Sequence, residues 1–335
     1  MIFSLIAYFM EKETILNIIS YAIRAPSTHN SQPWLFKIKT YGVSIYYDKK
    51  LKLPEADREG RDLYISIGCM LENMRISALK FGFKIKFEIL IDVSTQHVAD
   101  VSFEKFTEFS KENEIIFNQI NKRVNTRGIF KKESIPNSVS EKIQHIVDGF
   151  NECKINLTLV SKKEDITKMA VLTQKAILSA YSRPSFRHEM SHWMNSNLSH
   201  KKQGIPGYSL NMSLFTSMLI PILIRYFNIG KLLGKLNLMS IDSSPMIIIL
   251  SSQKNNEHEW IYIGMLAERI MLTLQSEGFQ TSIFVGSIEI DSLYKEVQSL
   301  TGLIKERPQF IFSVGHMNGS QKITPRHDLE TKLIN

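Results

Sequence analysis

Apolar positions along the chain fall into two rhythms. Ile15, Ile18, Ile19, Ala22 and Ile23 recur at helical spacing and predict a helix over 11–24, stopped by Pro26. The same rhythm predicts helices over 62–81, ending at Gly82, over 111–122, over 164–182 and over 260–277, ending at Gly278. Alternation predicts strands at 34–39 and 43–47, around a turn at Tyr41-Gly42, and again at 83–92, 97–104 and 155–160. Met246 to Leu250 is unbroken and apolar, the pattern of a strand buried on both faces. A last strand is expected at 309–314, with a tail from Lys322. Between 183 and 240 neither rhythm holds. Gly204, Pro206, Gly207 and Pro221 punctuate a stretch that reads as irregular or helical and lid-like.

Two of the helical stretches resemble each other. Tyr64 to Phe83 aligns with Trp260 to Phe279 at a constant offset of 196 residues. Ile65/Ile261, Ile67/Ile263, Gly68/Gly264, Glu72/Glu268, Gly82/Gly278 and Phe83/Phe279 are identical pairs. A glycine early in each copy predicts close helix–helix packing about a pseudo-twofold axis, as in a symmetric dimer fused into one chain. A length of 335 residues allows two domains or one large duplicated unit.

The composition, 43% apolar and 22% charged, is that of an ordinary globular protein. The net charge of +8 is dispersed, as in Lys49-Lys50, Lys131-Lys132 and Lys201-Lys202, and no stretch interleaves basic and aromatic residues. Nucleic acid is therefore not an expected partner. Two cysteines, Cys69 and Cys153, are too few for a disulfide scaffold, and a reducing, cytoplasmic location fits. Met1 to Met10 is apolar but lacks a basic n-region and a cleavage site, so it does not read as a signal peptide. Leu210 to Ile224 falls short of the roughly 20 apolar residues of a membrane span. A lid helix is the first reading of that stretch, a membrane-surface helix the second, and no membrane partner is expected.

Three segments can carry chemistry. Ala25-Pro26-Ser27-Thr28-His29-Asn30-Ser31-Gln32-Pro33-Trp34 is a turn between helix and strand, dense in small donors and acceptors suited to the edge of a planar heterocycle. Arg123-Val124-Asn125-Thr126-Arg127-Gly128-Ile129-Phe130 offers two guanidiniums able to make charge-assisted bonds to one phosphate. Arg307 to His316, followed by Lys322 and Arg326, closes the chain with a strand and two cations. A competing pattern, His188-Glu189-Met190-Ser191-His192, fits the zinc-hydrolase helix H-E-x-x-H. Position 198 is Leu where the extended motif needs a third histidine, so a zinc hydrolase stays a distant alternative.

The first segment resembles the flavin loop of the nitroreductase family, Ala-Pro-Ser-x-x-Asn-x-Gln-Pro-Trp, at every fixed position. The second resembles that family's Arg-x-Ser-x-Arg/Lys-x-Phe signature, with Asn125 in the serine's place. The third resembles its last strand and closing Lys/Arg pair. The string Phe186 to Trp193 resembles a pattern of the family's two-half branch. Together they resemble the Acg-type branch, in which one chain imitates the dimer.

That resemblance implies an α+β (α/β sandwich) nitroreductase-like fold in two degenerate halves, residues 1–110 and 111–335, with the lid-like insertion at about 183–240 in the second. It implies one FMN between the halves. Arg123, Asn125, Arg127, Lys322 and Arg326 would hold the phosphate. Pro26, Ser27, Thr28, Asn30 and Gln32 would line the ring or ribityl, and Val285 and Gly286 would lie near flavin N5. NAD(P)H would be the electron donor and a nitro, quinone or similar small molecule the acceptor. No catalytic side chain and no metal are assigned. The alternative is a flavin-sequestering protein with a closed lid and little turnover. A monomer mimicking a dimer is expected, with further oligomerisation left open.

Overall fold

The first part of the chain runs α1 (Lys12–Ala22), β1 (Trp34–Lys39), β2 (Gly42–Tyr47), α2 (Arg61–Lys80), β3 (Phe83–Asp92), β4 (His97–Lys105) and α3 (Lys111–Phe117). It continues with α4 (Asn137–Asp148), β5 (Ile155–Val160), α5 (Lys163–Ser182), α6 (Pro184–Trp193), β6 (Met194–Asn195), β7 (Ile205–Pro206), α7 (Leu214–Tyr226) and α8 (Gly230–Asp242). The last elements are β8 (Met246–Ser252), α9 (Glu257–Ser276), β9 (Gln280–Ile283), α10 (Gly286–Glu289), α11 (Tyr294–Thr301) and β10 (Arg307–Gly315). This computed structural model describes residues 11–319 and 322–334; the apolar run Met1–Met10 lies outside them. The α+β class that the resemblance implies is what the chain forms.

The strands make two four-stranded antiparallel sheets, ordered β1-β2-β4-β3 and β5-β8-β10-β9. Strand for strand, the order is the same. In each sheet the second strand in sequence leads into a long helix, α2 or α9, and the third and fourth follow it. The difference lies between the first two strands. β1 turns into β2 through Thr40-Tyr41, whereas β5 and β8 are separated by α5 to α8.

The two long helices cross at the centre of the molecule. A Cβ on Gly68 would lie 2.0 Å from the Ile261 carbonyl oxygen, and one on Gly264 would lie 2.1 Å from that of Ile65. The two contacts exchange under the 196-residue offset, so the glycines read as a repeat are the reason the backbones can touch. Cys69 donates its thiol to the Gly264 carbonyl at 3.2 Å, and burial pushes its pKa up, as expected of a small core residue. Ile67, Met70, Leu71, Ile261, Ile263 and Leu266 are fully buried around the crossing.

Several elements differ from the sequence expectation. β8 is buried along its whole length, as its apolar run predicts, yet its neighbours are antiparallel. α3 ends at Phe117, and the chain turns before Arg123. β9 has a polar sequence, Gln-Thr-Ser-Ile, and owes its conformation to pairing with β10. α4 and α11 were not anticipated, although both are amphipathic; they are short, 12 and 8 residues against 20 in α2 and α9. Pro221 does not break its segment. α7 runs through it, because Ile220 and Ile224 are buried in a cluster with Phe186 and Met190 of α6, packing that offsets the lost hydrogen bond.

Candidate functional site

The Ala25–Trp34 loop is held in an unusual backbone. His29, Asn30 and Gln32 have φ of 54°, 54° and 52°, the left-handed region that non-glycine residues avoid. Such a loop persists only where its surroundings over-determine it, and here they do. Ser27 Oγ accepts from Gln32 N at 2.9 Å. Gln32 Nε2 donates to the Lys202 carbonyl at 2.7 Å, and its Oε1 accepts from His327 N at 2.8 Å. Asn30 Nδ2 donates to the Pro325 carbonyl at 3.1 Å, and its Oδ1 accepts from Arg326 Nη1 at 2.9 Å. Lys332 Nζ donates to the Gln32 carbonyl at 2.6 Å. Thr28 Oγ1 donates to Asp62 at 2.9 Å, and Pro26 is partly exposed. The polar side chains expected to face a flavin thus clasp the loop to the 202 segment, the chain's tail and the start of α2.

Beside this loop three arginines converge. Arg24, Arg123 and Arg326, with Ile120, Asn121 and Ile323, line a cavity of about 250 Å³. Arg123 is buried; its Nε donates to Glu268 Oε1 at 3.1 Å, while its Nη1 is buried without a partner. Arg326 donates to Thr324 Oγ1 at 2.7 Å and to the Arg24 and Ala25 carbonyls at 3.1 and 3.2 Å, and its Nε is likewise without a partner. Burial, then the charges of Arg123 and Arg24, push the Arg326 pKa down to about 9. The carboxylate behind Arg123, Glu268, is pushed up by burial and held back by that arginine. An anion in the cavity would relieve the repulsion and meet the two orphan donors.

Arg127 stands elsewhere. It is absent from the lining of that cavity, and donates to Asn125 Oδ1 at 3.1 Å, Ser282 Oγ at 3.0 Å and the Thr126 carbonyl at 3.2 Å. Burial lowers its pKa to about 10. Asn125 Oδ1 also accepts from Ile283 N at 2.9 Å, which fixes the end of β9 just before Val285 and Gly286. Gly286 opens α10 against Ala176 of α5, where a Cβ would sit 3.5 Å from the alanine methyl. Lys322 is exposed, its Nζ 5.7 Å from the Tyr208 ring centroid. The expected phosphate set is therefore divided into an Arg123–Arg326 cavity, an Arg127–Asn125 corner and an outlying Lys322.

His29 links the loop to that corner. Burial pushes its pKa down to about 4, with Asp62 opposing and Arg127 assisting, and its Nε2 is buried without a partner. Behind it lies a buried charged cluster that no pattern in the chain marks. Arg61 pairs with Glu289 at 3.0 Å and with Asp62 at 3.9 Å. Burial and then Asp62 raise Asp57 to about 7 and push Glu289 well up. Arg24 was also missed; its only signal was a basic residue directly before Ala25. Glu268 was noticed as a repeat marker, not as the anchor of Arg123.

The H-E-x-x-H pattern has another use. Glu189 accepts from the Glu55 and Ala56 amides at 3.0 and 2.9 Å, so its carboxylate fastens α6 to the segment before α2. His192 Nδ1 bonds to the His188 carbonyl at 2.8 Å. Among the described residues no group of three or more His, Cys, Asp or Glu side chains could hold a metal ion, and no helix is long and apolar enough to cross a membrane. A larger hollow of about 780 Å³ over the first sheet joins none of the expected residues and is lined by balanced charges, Lys39, Lys86, Glu88 and Asp100.

No family model matches the chain. A Mycobacterium tuberculosis protein named "Putative NAD(P)H nitroreductase acg" is 21% identical over 322 residues, which is 95% of this chain and 94% of that protein. A second protein of that organism, also named as an NAD(P)H nitroreductase, is 26% identical over 98 residues, 29% of this chain and 28% of that relative's length. Among solved structures, the FMN-dependent nitroreductase NfnB from Mycobacterium smegmatis, in complex with NADPH, superposes with a TM-score of 0.43 at 15% identity, over 66% of this chain and 97% of that one. The likeness first read in the flavin-loop motif thus extends along nearly the whole sequence of an acg-named relative, and the chain is similar to that branch of the nitroreductases.

Proposed function

We propose that this chain is an FMN-binding oxidoreductase of the nitroreductase type, carrying one FMN between two unequal halves, residues 1–110 and 111–335. The observation that supports it most is the acid-poor cavity of Arg24, Arg123 and Arg326 beside the Ala25–Trp34 loop. Two buried donors without partners, Arg123 Nη1 and Arg326 Nε, suit a phosphate dianion. Arg127, Asn125 and Lys322 lie outside that cavity and would serve the remainder of the cofactor's polar chain. The strained loop would present backbone rather than its clasped side chains, together with Pro26 and His29. His29, with a pKa of about 4, is neutral at pH 7 and offers an uncharged ring nitrogen. When bound, FMN supplies hydride acceptance from NAD(P)H and reduction of a small nitro or quinone-type acceptor. The chain supplies binding and orientation, and no side chain is assigned as acid or base.

A cavity of about 250 Å³ takes a phosphate but not a whole flavin, since sites for ligands of that size run from roughly 300 Å³ upward. The rest of the cofactor would then lie beside that cavity, toward the Arg127 corner, which the insertion at 183–240 covers: Asn211 Nδ2 donates to the Arg127 carbonyl at 2.9 Å, and Ser240 Oγ to that of Gly128 at 2.6 Å. Those bonds favour a second reading, a flavin-sequestering protein with slow turnover.

Titration of the protein with FMN and with riboflavin tests the phosphate grip. FMN should bind at least about tenfold more tightly, the scale of one charge-assisted bond. Arg24→Glu, at an exposed position, should weaken FMN and leave riboflavin unchanged. Equal affinity for the two flavins, or no uptake of either, would refute the site. Anaerobic addition of NADPH then separates the readings, because a bleached flavin means turnover and a persistently yellow one means storage.

A further inference from the structure

The outer surface of the insertion is unlike the rest of the molecule. On α7, Ser217, Ile220 and Ile224 face inward and are buried. The opposite face carries Phe215, Met218, Ile222 and Tyr226, spaced as one helical stripe, with 71%, 51%, 55% and 67% of each residue exposed. α8 repeats the arrangement. Gly230, Gly234 and Ile241 are buried, while Leu232 and Leu236 stand out at 58% and 53% exposure. Both helices rest on one cluster built with α5 and α6, through Ile220 and Ile224 from α7 and Leu233 from α8. Monomeric soluble proteins rarely leave so continuous an apolar surface open to water, and among the described residues nothing covers it.

The charge on this surface has one sign. No Asp or Glu occurs between Glu189 and Asp242, although the chain as a whole holds 33 acidic residues. Arg225, Lys231 and Lys235 are exposed and flank the apolar stripe, and none pairs with an acid among the described residues. An apolar face bordered by unpaired cations is the pattern of a helix lying in the interface of a bilayer, its apolar side among the acyl chains and its lysines and arginines at anionic headgroups. Long basic side chains suit that border because their stems stay in the apolar layer while the charge reaches water. A second copy of the chain fits less well, since an isologous contact would bring the same cations face to face.

We infer that α7 and α8 form a docking surface for an anionic lipid bilayer, on which the protein lies peripherally. No spanning helix is involved, and none of the described helices could span. The surface belongs to the same insertion whose inner side touches Gly128 and Arg127, so docking would set that segment, and whatever it covers, against the membrane.

Flotation of the full chain with vesicles tests this directly. With vesicles of phosphatidylglycerol and phosphatidylcholine in equal parts, the protein should float. With pure phosphatidylcholine, or in high salt, binding should fall at least about tenfold, as screening of exposed charges requires. Phe215→Ser with Ile222→Ser, both at exposed positions, should abolish flotation without moving the thermal midpoint downward. Lys231→Glu with Lys235→Glu should abolish it on the anionic vesicles alone. Failure of the unaltered protein to float with anionic vesicles overturns the inference, as does equal binding to both vesicle types. A dimer in sedimentation that Phe215→Ser splits, with no flotation, would assign the face to self-association instead.

Discussion

Replacing Gly68 by alanine tests whether the centre of the molecule is built on backbone contact. The new Cβ would lie 2.0 Å from the Ile261 carbonyl oxygen. A carbon accepts such an oxygen no closer than about 3.3 Å, so α2 and α9 must part by more than about 1 Å. The obstacle is backbone in a buried stretch of helix, with Ile261, Ile263 and Met265 all at 0% exposure, and no side chain can swing aside. Overpacking of this kind costs about 3 kcal/mol at the upper end of its usual range. Alanine's better helix propensity returns about 1 kcal/mol. The net expectation is a loss of about 2 kcal/mol in urea denaturation, and the same for Gly264→Ala. The double variant should lose less than the two losses combined, because the first opening makes room for the second methyl. Gly234→Ala is the control, since its Cβ would approach closely only the flexible Gln174 side chain, at 3.2 Å, and would stand at ordinary contact distance, 3.5 Å, from the Gln174 carbonyl oxygen. Stability unchanged or raised in Gly68→Ala and Gly264→Ala would refute the reasoning.

Two further expectations concern buried charge. Removing one partner of the Arg123–Glu268 pair, whose side chains are 2% and 0% exposed, should cost roughly 3–5 kcal/mol in Arg123→Met, and Arg123→Met with Glu268→Leu should be more stable than Arg123→Met alone; equal stability of the two variants would show that the pair does not act as a unit. For pH, Asp57 is raised from 3.8 to about 7, so its contribution is fully present below pH 3.8 and is lost as pH rises through about 7. His29, lowered from 6.5 to about 4, contributes stability that is lost as pH falls through that window. The stability of the unaltered protein minus that of Asp57→Asn, measured by denaturation at each pH, should therefore decline between about pH 4 and 7, and a flat difference would remove Asp57 from the account.

Much of the fold was legible because its elements carry strong patterns. The expected helix over 62–81 is α2 at Arg61–Lys80, and the strands at 83–92 and 155–160 are β3 and β5. β9 was not legible, since Gln280, Thr281 and Ser282 show no alternation until β10 supplies their hydrogen bonds. The run of α7 through Pro221 was hidden for a similar reason, because its stability comes from packing on α6. In the site, residue types could be read but not their partners. Nothing local to Gln32 announces that Lys202, His327 and Lys332 will meet it. Arg123 and Arg127 look alike in sequence, yet a buried glutamate sits behind one and a serine beside the other.

The repeat also bears on how many anion sites the chain has. Glu72 and Glu268 occupy equivalent places on the crossing helices and both are fully buried. Glu72 is met by Arg269 at 2.5 Å and by Arg75 at 2.7 Å, and Arg75 also binds Glu152, so both cations there are charge-paired, although Arg75 Nε is buried without a hydrogen-bond partner. Under the 196-residue offset, the residue equivalent to Arg269 is Asn73. With its amide turned to donate, Asn73 reaches Glu268 at 3.1 Å and accepts from the Ala25 amide at 3.1 Å, which ties the glutamate to the strained loop. An amide brings no charge, so the second glutamate takes its cation from outside the helix pair, from Arg123. Arg123 Nη1 is likewise buried without a partner, but Arg123, unlike Arg75, lines the cavity shared with Arg24 and Arg326. The difference between arginine on one helix and asparagine on the other thus leaves one carboxylate between two arginines of the helix pair and makes the other the anchor of an arginine that lines a cavity. This asymmetry favours one anion site per chain over two.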